Sequence, residues 1–323
     1  MRYTIKHVTR FVYDAAISES VMEARMQPRS DGLQRCLHFS LSTSPGSRVL
    51  MYQDHDGNSV HHFNIPGRHS RLTLTTDALV ECSEPPELPY RLGPQGWSQL
   101  DALAASGEWF ELLAPSAFTQ PSELLTAFAS ELGLTRGNDP LVLLRRLTSE
   151  MYKRFEYAPR STRVDSPIDD ALRSRRGVCQ DFAHVFIALA RSVGIPTRYV
   201  SGYLFHEGGD RSTDGATHAW AEALLPEVGW VGFDPTNNLL AGDRHVRVAI
   251  GRDYADVPPT RGVYKGSTAV KSELAVAVQV GPAQSLFGSD PVPFTPWKSR
   301  DAAGQLVDGD LGSQDQVQDQ QQQ

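Results

Sequence analysis

The stretch that most constrains this chain is "CQDFAHVFIALARSVGIP", residues 179–196. Phe182, Val185, Phe186, Leu189 and Val193 recur at three- and four-residue steps, which puts them on one face of a helix. Gly194 and Pro196 then end it, since glycine accepts left-handed backbone and proline cannot continue the hydrogen-bond ladder. A helix with so wide an apolar face needs a core around it. Cys179 falls in the first turn, where the macrodipole is positive and backbone N–H groups lack helical partners. Taken alone, the thiol reads as a small core residue, where most free cysteines lie. Its neighbours must decide whether it is a nucleophile.

The 323 residues suffice for two domains of about 150 residues each. With 31 basic against 38 acidic residues, and only the short Arg173–Arg176 group as a basic cluster, nucleic acid is disfavoured as a partner. No apolar run is long enough to span a membrane, and "MRYTIKHVTRFVYDAAISES" alternates where a leader peptide would be continuously apolar. The expectation is a cytoplasmic protein with no membrane association. Cys36, Cys82 and Cys179 are too scattered for a disulfide framework, so free thiols are expected.

Residues 1–85 read as an N-terminal β-domain, because "RYTIKHVTRFVY" and "RLTLTTDALVEC" alternate apolar and polar positions. "DHDGN" reads as a hairpin turn; it lacks the further acidic ligands of a calcium loop. His61 and His62 point to opposite faces of a strand and make no metal pair. The Pro- and Gly-rich "SEPPELPYRLGPQG" leads into a connecting helical region over 86–140. Asp139 before Pro140 caps a helix through Leu144, Leu147 and Met151. Ser166-Pro167 opens another through Ile168, Ala171 and Leu172, expected to stop at Gly177. After the Cys179 helix come "TRYVSGYL", "HAWAEALL", "GWVGFDPT", "HVRVAIG" and "ELAVAVQV", all strand-like. Residues 141–284 are therefore expected to form an α+β domain of helices packed on an antiparallel sheet. The Gly-, Pro- and Gln-rich stretch 285–323 is expected to be a disordered tail.

His218 and Asp234 sit on adjacent predicted strands joined by the "PEVG" turn, so antiparallel pairing brings them together. A thiol at a helix N-terminus, an imidazole and an orienting carboxylate are the parts of an activated nucleophile. A helix N-terminus or a neighbouring imidazolium can lower a thiol's pKa from about 8.5 to as little as about 3.5.

"RGVCQDFAHVFIALARSVGIPTRYVSGYL" together with "THAWAEALLPEVGWVGFDPTNN" resembles the transglutaminase-like superfamily of papain-like cysteine enzymes, particularly its bacterial branch with an N-terminal β-domain. The likeness is close over residues 145–240. It implies Cys179 as nucleophile, His218 as general base and acid, and Asp234 as the orienting carboxylate. Tyr157, in "FEYAP", matches a position where animal relatives place an oxyanion-binding Trp; Gln180 and the Cys179 N–H are further oxyanion candidates, and a packed structural Tyr is the alternative for Tyr157. Asp181 and His184 are expected to be buried and hydrogen-bonded; His184 lies about 140° around the helix from Cys179 and shares no metal with it. Trp220 and Trp230 are core residues or groove walls, and Cys36 and Cys82 are inert.

The expected reaction is acyl transfer from a peptide or carboxamide through a thioester, resolved by water or by an amine. No metal or cofactor is expected, since the likeness does not extend to the calcium sites of animal transglutaminases. The substrate would be a peptide or protein. Relatives of this branch are often encoded beside ATP-grasp ligase-like proteins, which implies such a pathway partner. The alternatives are a non-catalytic binding scaffold on the same fold and a small-molecule N-acyltransferase. Oligomeric state is not legible.

Overall fold

Strict alternation carries the N-terminal sequence into two long antiparallel strands, β1 (Arg2–Ala24) and β4 (Ser59–Cys82). Tyr3, Ile5, His7, Thr9, Phe11 and Tyr13 all turn inward from β1, the period of two that a half-buried strand requires. β2 (Gln34–Ser44) and β3 (Val49–Gln53) pair with β4. Asp54 Oδ1 accepts the N–H groups of Asp56 and Asn58, so "DHDGN" is a turn between β3 and β4. Its other oxygen faces Arg25 and the Asn58 amide. His61 is buried and His62 half-buried.

The computed structural model describes residues 1–212, 215–267 and 270–283, together with a short pairing of Ser299–Arg300 with Leu306–Val307. Apart from that pairing, the expected disordered tail over 285–323 lies outside the described residues.

A second unit covers Glu84–Ser212 and His218–Pro258. Its helices are α1 (Gly96–Ala105), α2 (Phe110–Leu113), α3 (Glu123–Glu131), α4 (Pro140–Arg154), α5 (Ile168–Ser174) and α6 (Cys179–Ser192). Asp139 caps α4 by accepting from the N–H groups of Leu141 and Val142. Helix α5 stops three residues before the expected Gly177. Arg175 takes a left-handed φ of 55°, with its guanidinium 4.1 Å from the Phe128 ring centroid. That turn frees β6 (Arg176–Gly177) to run parallel beside β5 (Glu156–Tyr157). Gly177 is a close approach: a Cβ there would sit 2.8 Å from the Asp181 side chain.

Helix α6 is the centre of this unit, with Phe182, Val185, Phe186 and Leu189 fully buried, each stabilising by about 2 kcal/mol through apolar burial. Leu100, Leu125 and Phe128 from the 86–140 region join the same core, so that region is part of the unit and not a connection. Arg191, near the end of α6, is buried and donates to the carbonyls of Thr197, Ala114 and Arg252 and to the hydroxyls of Ser116 and Thr119. Burial pushes its guanidinium down to about 10, so it stays charged at neutral pH.

Against α6 lies an antiparallel sheet of β7 (Thr197–Leu204), β8 (His218–Leu225), β9 (Gly229–Asp234), β10 (Leu239–Leu240) and β11 (His245–Gly251), in the order β10-β9-β8-β7-β11. The chain then returns to the first unit. β12 (Thr260–Lys265) and β13 (Ser272–Pro282) pair antiparallel with β1, Glu19 opposite Lys265 and Tyr3 opposite Pro282. These strands were expected within the 141–284 domain. Alternation specifies which face of a strand is buried but not which strand it pairs with, so their sequence could not show the return.

Candidate active site

Cys179 is the first residue of α6 and is half-buried. Val178 before it offers no side-chain cap, and Asp181 instead accepts the Val178 N–H at 2.8 Å. The parallel β5–β6 pair sets Tyr157 opposite Gly177, beside the segment that leads into Cys179. Gln180 donates its side-chain amide to Val164 O at 2.8 Å, and the Thr162 hydroxyl donates to Asp181 at 2.6 Å. The bond to Val164 ties the Gln180 side chain, one of the expected oxyanion donors, to the segment before α5. Asp181 and His184 are buried and bonded: burial pushes the Asp181 carboxyl up to about 6, against the opposing pull of Thr162 and Val178. His184 accepts the Tyr254 N–H and stacks on Phe118, and burial pushes its imidazole down to about 3.

His218 opens β8 opposite Gly202 of β7. Only glycine fits at 202, because a Cβ would lie 2.2 Å from Val246 O and 2.7 Å from the Trp220 ring. His218 Nε2 donates to Asp234 Oδ2 at 2.8 Å, and Cys179 lies near enough to its ring to favour charge on it. Burial alone would disfavour charge on this imidazole. The Asp234 carboxylate, by charge and hydrogen bond, and Cys179 outweigh burial and push it up to about 10. Asp234 is fully buried at the end of β9 and is held well below the usual carboxylate range despite that burial, first by His218 and then by His245. Imidazole and carboxylate are thus joined across β8 and β9 with the α6 thiol near the imidazole, and such a set of groups can hold a positive charge on the ring. Trp220 is fully buried with its ring 6.1 Å from that of His218; Trp230 stacks under the Arg198 guanidinium at 3.9 Å.

Two residues at this site had not been singled out from the sequence. Asn237 donates its amide to Asp234 Oδ2 at 2.8 Å and accepts from the N–H groups of Arg211 and Ser212, which ties the segment before His218 to the carboxylate. Its place in "DPTNN", three residues past a strand-ending Asp, was a signal of such a turn. His245 donates to Asp234 Oδ2 at 3.2 Å from the far edge of the sheet, and nothing local in "HVRVAIG" announced it. Ligand atoms of His218, Asp234 and His245 lie within 4.8 Å of one another, a spacing a metal ion could bridge.

A helix-borne thiol set against a strand-borne imidazole, over an antiparallel sheet, defines the transglutaminase-like, papain-like fold class. The sequence matches the transglutaminase-like superfamily over residues 129–235 and the bacterial transglutaminase-like N-terminal region over residues 3–81. An uncharacterized protein of Mycobacterium leprae is 33% identical over 281 residues, covering 86% of this chain and 98% of its own. The chain therefore belongs to the bacterial transglutaminase-like family. A protein-glutamine gamma-glutamyltransferase of Pseudomonas aeruginosa is 32% identical over 130 residues, covering 38% of this chain and 18% of its own. A crystal structure described as that of a candidate cysteine protease from Cytophaga hutchinsonii shares the fold, with a TM-score of 0.67 at 22% identity over 89% of this chain and 94% of its own. Among the described residues, no helix is long and apolar enough to cross a membrane.

Proposed function

We propose that the protein is a cysteine-dependent acyl-transfer enzyme acting on peptide or protein carboxamides. The observation that carries this reading is the buried His218–Asp234 pair at 2.8 Å, with the Cys179 thiol beside the imidazole. Cys179 Sγ attacks the acyl carbon while His218 Nδ1 takes the thiol proton. The same imidazole returns the proton to the departing ammonia or amine, leaving a thioester. Water resolves the thioester to an acid, or a second amine resolves it to a new amide. Asp234 keeps the imidazole in the tautomer that points Nδ1 at sulfur. The Cys179 N–H, at a helix start without a side-chain cap, and the Tyr157 hydroxyl are the donors for the developing oxyanion. The gamma-glutamyltransferase named above supports an amine acceptor and the crystallographic relative a water acceptor.

Alkylation with iodoacetamide at neutral pH, mapped by mass spectrometry, tests the nucleophile. Cys179 should react at least tenfold faster than Cys36 and Cys82, and His218→Ala should abolish the advantage. Equal rates at the three thiols would sink the proposal. Peptide libraries with and without a primary amine, with Cys179→Ser as control, then separate hydrolysis from transamidation by product mass. Turnover should be unchanged by chelator, since the reading gives calcium no part. The wide spacing of Cys36, Cys82 and Cys179, which forms no disulfide framework, supports a reducing, cytoplasmic setting, which cell fractionation checks.

A further inference from the structure

Asp234 is shared between two imidazoles, and only one of them is aimed at the thiol. Its Oδ2 receives His218 Nε2 and Asn237 Nδ2 at 2.8 Å and His245 Nε2 at 3.2 Å; its Oδ1 receives the N–H groups of Thr236 at 3.0 Å and Asn237 at 3.2 Å. The protonation of the second imidazole is fixed by its other nitrogen. His245 Nδ1 accepts the Gly242 N–H at 3.2 Å, so it carries no proton, and the ring's proton sits on Nε2 facing the carboxylate. Trp220 packs edge-on against the same ring at 5.1 Å, fixing its plane. His245 is buried, and a second positive charge there would repel His218 and Arg244. It is therefore a neutral donor that steadies the carboxylate without competing for the catalytic proton.

We infer that His245 is a positioning residue for acyl transfer: by donating from a fixed Nε2–H it holds Asp234 Oδ2 against His218 and so keeps the thiol–imidazole pair poised. Asn237 holds the same oxygen from the β9–β10 turn, so the carboxylate is gripped from two elements. Loss of His245 leaves Oδ2 with one side-chain support and lets the carboxylate turn from His218. The charged imidazole is then less well stabilised, and sulfur gives up its proton to it less readily. The titratable and charged groups facing His245 are Asp234 from β9, His218 from β8 and Arg244 beside it, with Cys179 of α6 beyond His218.

This inference rests on the proposed nucleophile, and one experiment separates the two. The rate of Cys179 alkylation is followed from pH 4 to pH 9 in the wild-type protein, in His245→Leu, and in His245→Gln, whose amide places a donor near the lost Nε2–H. Circular dichroism melts confirm that each variant is folded. In His245→Leu, the pH at which Cys179 becomes reactive should rise by about one unit, a reaction about tenfold slower on the acid side, and His245→Gln should recover most of it. A purely packing role would lower the melting temperature and leave that pH unmoved. A folded His245→Leu with the wild-type profile, or a His245→Gln no better than His245→Leu, overturns the role of His245 while leaving the nucleophile standing. A wild-type Cys179 no faster than Cys36 overturns both.

Discussion

Both units bury histidines, and the difference between them lies in what each ring meets. In the first unit, His7 Nε2 pairs with the Thr9 hydroxyl at 3.0 Å and His69 Nε2 with the Ser20 hydroxyl at 3.1 Å. A hydroxyl satisfies an imidazole but cannot balance a proton's charge, and burial pushes His7 down to about 4. In the second unit, His218 is as deeply buried yet is pushed up to about 10, because its partner is a carboxylate. His184 belongs to the second unit and still behaves like His7, since its Nε2 partner is a neutral backbone N–H. Among these rings the partner's charge, and not depth in the fold, separates a packed imidazole from a working one; His245 shares the Asp234 carboxylate but stays neutral, because burial and the charge on His218 oppose a second proton.

The sharpest way to break that comparison is to remove the charge. Asp234→Ala should cost about 3–5 kcal/mol in urea unfolding, because it strips a buried ion pair of one member. The wild-type pair also has a signed pH dependence. The Asp234 contribution is present above the ordinary aspartate pKa and is lost as pH falls below it. The His218 contribution is present below about 6.5 and is lost as pH rises through about 10. Asp234→Ala should flatten both limbs. Arg191→Met should cost about 3 kcal/mol by orphaning carbonyls of Thr197, Ala114 and Arg252, and its stability should not depend on whether the active-site pair is intact, as a double-mutant cycle would show.

Asp181 sharpens the comparison from the other side, as a carboxyl given only neutral donors. Its folded pKa is raised to about 6, so the native state holds a proton that the unfolded chain releases earlier. Stability should therefore fall as pH rises from about 4 through about 6. Relative to Asp181→Asn, the wild type should lose about 2 kcal/mol between pH 4 and pH 8 in paired denaturation curves. The smallest effect is expected at His7→Leu, about 1 kcal/mol and flat above pH 7, because the Thr9 hydroxyl that it bonds is neutral. A His7→Leu penalty matching that of Asp234→Ala would dissolve the distinction.

The parts legible in the sequence were those written in local periodicity. The α6 face from Phe182 to Leu189, its stop at Gly194, the Asp139 cap and the β1 alternation all follow from neighbours within a few residues. The juxtaposition of His218 with Asp234 was accessible because one turn joins their strands. His245 was not, since it reaches Asp234 through the sheet order β9-β8-β7-β11, which no single strand encodes. The same blindness to partners hid the return of β12 and β13 to β1. The bond from Gln180 to Val164 O was hidden too, because an irregular segment whose path is not periodic supplies the acceptor.

The pairing of β1 with β12 and β13 has a practical consequence for anyone cutting this gene. Glu84–Ser212 and His218–Pro258 invite expression as a stand-alone cassette, but the five residues between them count with the first unit, where Gly215 O takes the Val278 N–H. They run directly into His218. A cassette made by deleting the flanks would sever that anchor, since Val278 goes with the deleted β13 while the residues that lead into His218 stay.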